Sequence, residues 1–196
     1  MRTQTRLASV MLATAALWTA PGVFAADTPA APVFKQSFET AKAANGVADG
    51  CALVGNAKIT AVCSLDGGMA EKTHAQKLQV TESLMAEQVG VATRDFALKA
   101  GKTYKISFGY KVADLNGAGP LAFLSWYDNG EKKFDNLMLL TSGGETKAGA
   151  WTPVAVTFTP KIDMNPSAQL RLSVFRVGGT GTIWYDEFVV EEVPAR

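Results

Sequence analysis

A strict alternation of apolar and polar residues constrains the fold of this chain more than any other feature. In residues 104–112 every second side chain is apolar, and the residues between them are Lys105, Ser107, Gly109 and Lys111. A period of two predicts a β-strand with one buried face, because successive side chains of a strand point to opposite sides of the sheet. Residues 154–159 and 170–174 repeat the pattern, whereas 121–127 and 136–141 are apolar on both sides, as central strands can be.

Turn-forming segments separate these runs at 100–102, 116–117, 128–130, 142–144 and 178–181. Several short strands divided by glycine- and asparagine-rich turns, with almost no helical pattern, predict an all-β sandwich or barrel. The long polar connection at 141–150 favours a jelly-roll β-sandwich over a tight up-and-down barrel. Gly109, alone inside a predicted strand, indicates either a bulge or a close approach by another group.

The N-terminus has the pattern of a secretory signal peptide. Arg2 and Arg6 precede an apolar run at 7–20, and the small residues before position 26 suit cleavage after Ala25. The run is shorter than the roughly 20 apolar residues that a membrane span needs. We therefore predict a signal peptide at 1–25, a flexible leader at 26–33, one sandwich domain at 34–192, no transmembrane anchor, and a secreted or periplasmic location.

The charged residues exclude some functions. Of the 19 lysine and arginine side chains, Arg2 and Arg6 belong to the predicted signal peptide, which leaves 17 against 18 aspartates and glutamates. This balance argues against a nucleic-acid partner, which usually requires a clustered basic excess. The chain has no Gly-x-Ser-x-Gly motif and no phosphate-binding loop, and His74 is its single histidine. We therefore expect a protein that is not an enzyme, although jelly-roll lyases and glycosidases remain open because carboxylate spacing cannot be taken from a sequence.

The two cysteines, Cys51 and Cys63, predict a disulfide. An even number of cysteines in an exported chain favours a bridge over free thiols, and their spacing is not that of a zinc site. Gly55-Asn56 lies near the middle of the intervening segment, which we interpret as a hairpin that brings the two cysteines together.

The segment 178–190, Gly-Gly-Thr-Gly-Thr-Ile-Trp-Tyr-Asp-Glu-Phe-Val-Val, resembles the last strand of carbohydrate-binding modules of families 4, 9 and 22. These modules belong to the galactose-binding-like jelly rolls. Ser37-Phe38-Glu39 resembles their opening strand, Gln88 with residues 98–108 their central Gln and the "L-x-x-G-K-x-Y-x-x-S-F" run, and Trp151 with 157–159 a later strand. The matches keep the family's order and cover about 34–192.

The resemblance implies a bound polysaccharide or oligosaccharide and a structural calcium ion held by Glu39 and Asp186, along with backbone carbonyls. One position departs from the pattern: Met85 stands where sugar-binding members often have a Trp, three residues before the Gln. Because an aromatic ring is a main source of affinity for sugars, an alternative stays open. In that alternative the chain is an envelope or secreted β-sandwich that binds a protein and has lost sugar binding.

Five residues are candidates for binding a neutral glycan on an open sheet face: Gln88, Trp126, Arg171, Phe175 and Tyr185. Trp184, Phe188 and Val190 share one face of the final strand, which we expect to be the core, so Tyr185 is expected on the open side. Phe175 lies beside Arg171 on the polar side of its strand, where a ring stacks on a sugar and polar groups bond to hydroxyls. We expect this polar side and that of residues 104–112 to form one open surface, on which Gly109 leaves room for a ligand. We expect the protein to be a monomer.

Overall fold

The computed structural model describes residues 31–39, 46–55, 60–70, 72, 74–82, 89–116, 119–141, 148–174 and 180–194. These residues contain twelve β-strands: β1 Phe34–Gln36, β2 Cys51–Gly55, β3 Thr60–Gly67, β4 His74–Glu82, β5 Val89–Thr93, β6 Phe96–Leu98, β7 Tyr104–Asn116, β8 Pro120–Asp128, β9 Lys133–Leu140, β10 Thr152–Phe158, β11 Met164–Val174 and β12 Thr180–Glu192. No helix that could cross a membrane occurs in the part of the chain that is described.

The strands form two antiparallel sheets packed as a jelly-roll β-sandwich. The first sheet has the order β10-β7-β12-β4-β3, with β1 paired to β12. The second has the order β2-β5-β11-β8-β9, with β6 paired to β11. The predicted all-β sandwich is confirmed, and each of the five alternating or apolar runs used for that prediction lies in a strand.

The core between the sheets is built from the predicted alternation. All five apolar side chains of β7, from Tyr104 to Val112, are at most 3% exposed, while Lys105 between them is exposed. Phe108 stacks on Phe188 of β12 with 4.7 Å between ring centroids. Burial of such rings is the main favourable contribution to folding of a sandwich.

A β-bulge in β12 reverses the predicted faces of the last strand before Asp186, whereas Phe188 and Val190 are core residues as predicted. The pairing of β12 with β7 shifts between Asp186 and Val189, and Glu187 has a φ of 53°. The extra residue of a bulge puts side chains three positions apart on the same face. Tyr185 and Phe188 therefore both point into the core, whereas Trp184 lies half-buried on the outer surface. The predictions of a core Trp184 and an open Tyr185 are wrong for this reason.

The predicted hairpin between the two cysteines is also wrong. Cys51 lies in β2, which pairs with β5 in the second sheet, whereas Cys63 lies in β3, which pairs with β4 in the first. Cys51 is a free cysteine, and burial raises the pKa of its thiol to about 11. The side chain of Cys63 lies outside the described residues, so the disulfide stays a prediction that rests on the even number of cysteines and no longer on a hairpin.

Candidate ligand-binding face

The outer surface of the second sheet, which we call the second-sheet face, carries exposed apolar side chains. Along β8, Ala122 and Leu124 belong to the buried core, so Phe123 and Tyr127 point to the opposite side. The register of β8 with β9 sets Tyr127 beside Phe134 and Phe123 beside Met138. The pairing of β8 with β9 therefore concentrates three rings and a thioether on one surface.

Phe134 is the most exposed of these rings. Its side chain is 71% exposed, and its ring lies edge-on against Tyr127 with 5.0 Å between centroids. The turn that brings the two together is closed by Asp128, whose Oδ1 accepts hydrogen bonds from the backbone N–H of Gly130 and Glu131 at 2.8 and 3.2 Å. Phe134 is thus held in place and open to a ligand.

Small and neutral residues surround these rings. Ser125 and Asn136 occupy the register position between the two aromatic pairs on β8 and β9. Across β11 from these rings, Gly90 and Ala92 of β5 belong to the same face and are buried and small. Ring surfaces next to amide and hydroxyl groups are the combination that sugar-binding sites use, since sugars offer both apolar ring faces and hydroxyls.

Arg171 lies at the centre of the second-sheet face. It is register partner to Ala92 on one side and to Phe123 on the other. Its Nε is buried and has no hydrogen-bond partner among the described residues. Of the five predicted ligand-binding residues, Arg171 is the one that the structure places on this face.

The other predicted ligand-binding residues lie elsewhere. Tyr185 is 1% exposed and donates a hydrogen bond from its hydroxyl to the backbone carbonyl of Leu121 at 2.9 Å. Trp126 faces inward, is 9% exposed and packs against Phe158 of β10 with 5.8 Å between centroids. Its strand is apolar on both sides, so alternation did not reveal which side was buried. Gln88 and Phe175 lie outside the described residues.

Trp126 borders a cavity of about 370 Å³ at one end of the sandwich. Phe158, Ile162 and Met164 form its apolar wall together with Trp126, and charged side chains of the β8–β9 turn form its rim. The cavity therefore lies between the sheets and not on the second-sheet face.

The strands β7 and β11, whose polar sides were expected to form one surface, belong to opposite sheets. Gly109 lies on the outer surface of the first sheet, which we call the first-sheet face. A Cβ at Gly109 would collide with Met69 Sδ and come within 3.3 Å of the Trp151 ring. The close approach that the lone glycine indicated is therefore made by the protein's own side chains.

A tryptophan–lysine cluster covers the first-sheet face. The Lys111 Nζ lies 4.5 Å from the centroid of Trp184 and 5.1 Å from that of Trp151. The Trp184 Nε1 donates a 2.7 Å hydrogen bond to Asp66, which also accepts one from Lys77 at 3.1 Å. Partial burial raises the pKa of Asp66, but these two hydrogen bonds and the charges of Lys77 and Lys111 together outweigh it and leave the pKa below its usual value. The two tryptophan rings and the charged groups of this cluster therefore already have partners within the protein.

The predicted calcium ligands Glu39 and Asp186 lie beside one loop, at 67–74. Asp186 is fully buried, and its Oδ2 accepts a 2.9 Å hydrogen bond from Met69 N, while Glu39 Oε1 accepts one of 3.0 Å from His74 N. Burial raises the pKa of Asp186 to about 6, against the hydrogen bonds that its carboxylate accepts from the backbone N–H groups of Met69 and Glu187, and the charges of Glu187 and Glu39 raise it further.

The donor chemistry at this loop suits a hard cation, because the side-chain ligands are carboxylate oxygens. The neighbouring Glu187 already has cationic partners, since Lys72 Nζ lies 3.6 Å from its Oε1 and Lys35 Nζ lies 3.7 Å from its Oε2. The described residues do not, however, bring three His, Cys, Asp or Glu side chains to ligating distance of one point. Glu39 and Asp186 fit as two ligands of an ion whose remaining ligands would be backbone carbonyls.

Comparison with known proteins supports the fold assignment. No protein-family model matches the sequence, and no curated protein sequence matches it significantly. Among solved structures, a family 22 xylan-binding domain of Paenibacillus barcinonensis Xyn10C superposes with a TM-score of 0.58 at 13% identity, over 87% of this chain and 100% of that domain. The C-terminal family 22 module of Clostridium thermocellum Xyn10B gives a TM-score of 0.52 at 16% identity, over 82% and 92%.

The N-terminal part of Xyn10B, a family 22 module joined to a xylanase domain and complexed with xylohexaose, gives a TM-score of 0.55 at 20% identity. The match covers 82% of this chain but 28% of that protein's length. At such identities the similarity shows the fold alone. The fold is the jelly-roll β-sandwich of carbohydrate-binding modules, which confirms the family resemblance at the level of architecture.

Proposed function

We propose that this protein is an exported, non-catalytic carbohydrate-binding module that holds a polysaccharide or oligosaccharide chain on the second-sheet face. The observation that carries the proposal is the Phe134 ring, 71% exposed and held edge-on by Tyr127 on a face that also offers the exposed Asn136. The xylan-binding family 22 domain with the same fold supports the class of ligand.

The face suits a glycan physically. The apolar side of a sugar ring stacks on Phe134, and stacking removes from water an aromatic surface that is otherwise exposed. The exposed Asn136 exchanges hydrogen bonds with hydroxyls, each with a net gain of about 1 kcal/mol because water is displaced. A shallow face of this kind gives modest affinity that increases with the number of sugar units in contact.

The absence of catalysis is part of the proposal. The described strand positions on the second-sheet face carry no carboxylate, whereas glycoside hydrolysis by the usual route needs two. Asp135 of β9 is in register with the core-facing Trp126 and therefore lies on the other side of its strand. We expect no release of reducing sugar from any polysaccharide that binds.

A protein-binding β-sandwich is the second candidate function. It is favoured by Met138, 44% exposed on the same face beside the aromatic pair, since exposed apolar side chains also suit a protein partner. The two candidates differ in whether an isolated glycan is sufficient for binding.

Affinity electrophoresis separates these candidates. The purified protein is run through native gels that contain xylan, β-glucan, mannan or pectin, and retardation in at least one gel is expected. Phe134→Ala should abolish it, and the control Leu53→Ala, which removes a side chain 58% exposed elsewhere on the sheet, should not. Normal mobility in every gel would overturn the proposal and favour the protein-binding alternative.

We also propose that Glu39 and Asp186 hold a structural calcium ion beside the loop at 67–74. A bound cation would neutralise these carboxylates and the neighbouring Glu187, and so stabilise a loop that runs between β3 and β4. Export is the remaining part of the proposal and rests on the predicted signal peptide. Sequencing of the protein recovered from the periplasm or medium should give Ala26 as its first residue.

A further inference from the structure

We infer that the glycan bound by this protein carries a carboxylate, as a uronic acid in the chain or as a side group, and that Arg171 selects it. The inference rests on the proposed function and goes beyond it, because the second-sheet face by itself is compatible with a neutral sugar chain.

The position of Arg171 is the first argument. The strand β11 is the central strand of the second sheet, with β5 on one side and β8 on the other. Arg171 is aligned there with Ala92 and Phe123, and Phe123 is aligned in turn with Met138. A chain that stacks on the Tyr127–Phe134 pair and runs diagonally over Phe123 and Met138 towards β11 therefore reaches the guanidinium.

The charge of the face is the second argument. The described strand positions that share this face on β2, β5, β8 and β9 are apolar or neutral. The acidic residues nearest to Phe134 are Asp128 and Asp135. Both point to the core side of their strands. Arg171 consequently has no carboxylate partner on the face within the described part of the chain.

The burial of its Nε is the third argument. This atom is removed from water and lacks a hydrogen-bond partner among the described residues. A buried N–H donor without a partner costs free energy, and an anion bound at the partly exposed guanidinium would offset that cost. The planar guanidinium offers paired donors that match a carboxylate in a bidentate arrangement, which a sugar hydroxyl cannot reproduce.

Calorimetry with paired ligands tests the inference. Oligosaccharides of glucuronoxylan, galacturonan and mannuronan are compared with the same oligosaccharides after reduction of each carboxylate to an alcohol. In at least one pair the acidic form should bind at least about tenfold tighter, as expected for a charge-assisted hydrogen bond. Raising the salt concentration should weaken the acidic form and leave the reduced form unchanged.

Variants then assign the effect to Arg171. In Arg171→Gln the preference for the acidic form should disappear, and in Arg171→Lys it should fall because the charge remains without the bidentate geometry. Lys105→Gln removes an equal charge from an exposed position on the opposite sheet and should keep the preference. The ligand comparison with the unaltered protein stands even if the Arg171 variants do not fold.

Three results overturn the inference in distinguishable ways. Equal binding of acidic and reduced forms in every pair refutes carboxylate selection but leaves the glycan-binding function standing. A preference that survives in Arg171→Gln refutes the role of Arg171. Failure of both acidic and neutral glycans to bind refutes the function and the inference together.

Discussion

The Tyr185 hydroxyl donates a 2.9 Å hydrogen bond to the backbone carbonyl of Leu121 and so joins the two sheets across the core. Tyr185 belongs to β12 of the first sheet, and Leu121 to β8 of the second. Burial raises the pKa of the Tyr185 phenol above its ordinary value, so the hydroxyl keeps its proton and remains a donor over the whole physiological range. Because β8 also presents Tyr127 and Phe123 on its outer side, this bond anchors the strand that carries the candidate site.

Tyr185→Phe should lower the free energy of unfolding by about 1–2 kcal/mol, because it removes a buried donor while keeping the ring that fills the core. Urea unfolding followed by fluorescence measures the change. Tyr185→Ala should cost several times more through the cavity it creates. A stability of Tyr185→Phe equal to that of the unaltered protein would show that the hydrogen bond contributes nothing, and glycan binding by this variant should be unchanged.

The sequence predicted the architecture well because the strands are long and alternate strictly. Tyr104 to Val112 required one buried face whatever the surrounding fold, and the structure buries all five apolar side chains. The prediction for Tyr185 was wrong because strict alternation assumes that each side chain points to the opposite side from the one before it. A bulge inserts an extra residue and breaks that rule. The bulge lies between Asp186 and Val189, and the positive φ of Glu187 within it is not a preference of glutamate that a sequence reveals.

The candidate site was predicted less well for a different reason. Tyr127 and Phe134 lie in strands that are apolar on both sides, so the pattern of residues does not distinguish the core side from the outer side. Their proximity depends on the register of β8 with β9, which is set by a turn and a bulge. Arg171 was predicted because its strand alternates, although the surface expected to accompany it belongs to the opposite sheet.

The raised pKa of Asp186 predicts a pH-dependent stability in the absence of metal. Its carboxyl has a pKa of about 6 in the folded protein, whereas the ordinary value is 3.8. The folded state therefore binds this proton more tightly than the unfolded state. Stability from this group is fully present below about pH 4 and is lost as the pH rises through 6, by up to roughly 3 kcal/mol.

Urea unfolding in chelator between pH 4 and 7 measures this dependence. The free energy of unfolding should decrease with pH in the unaltered protein, apart from the contributions of other groups, and the decrease should be smaller in Asp186→Asn. An identical pH profile for the two proteins would contradict the assignment.

Calcium should reverse this effect, because a bound cation stabilises the ionised form of Asp186 and not the protonated one. At neutral pH and a hundredfold excess over its dissociation constant, a ligand of the folded state adds about 2.7 kcal/mol. The melting temperature should then rise by roughly 5–10 °C in calcium relative to chelator. The double variant Glu39→Gln, Asp186→Asn should not respond, and an unaltered protein that melts equally in both buffers would refute the calcium proposal.

The central claim is that a glycan binds on the second-sheet face, and NMR chemical-shift mapping tests it most directly. The indole signals of the three described tryptophans would show binding at either of the other two surfaces. Trp151 and Trp184 lie on the first-sheet face, and Trp126 borders the cavity at the end of the sandwich. On addition of xylohexaose or a glucuronate-bearing xylo-oligosaccharide, we predict large shifts for the Met138 methyl group and for the ring signals of Tyr127 and Phe134, with unchanged indole N–H signals from all three tryptophans. Shifts centred on the Trp151–Trp184 cluster or on Trp126, with the Phe134 and Met138 signals unmoved, would contradict the claim.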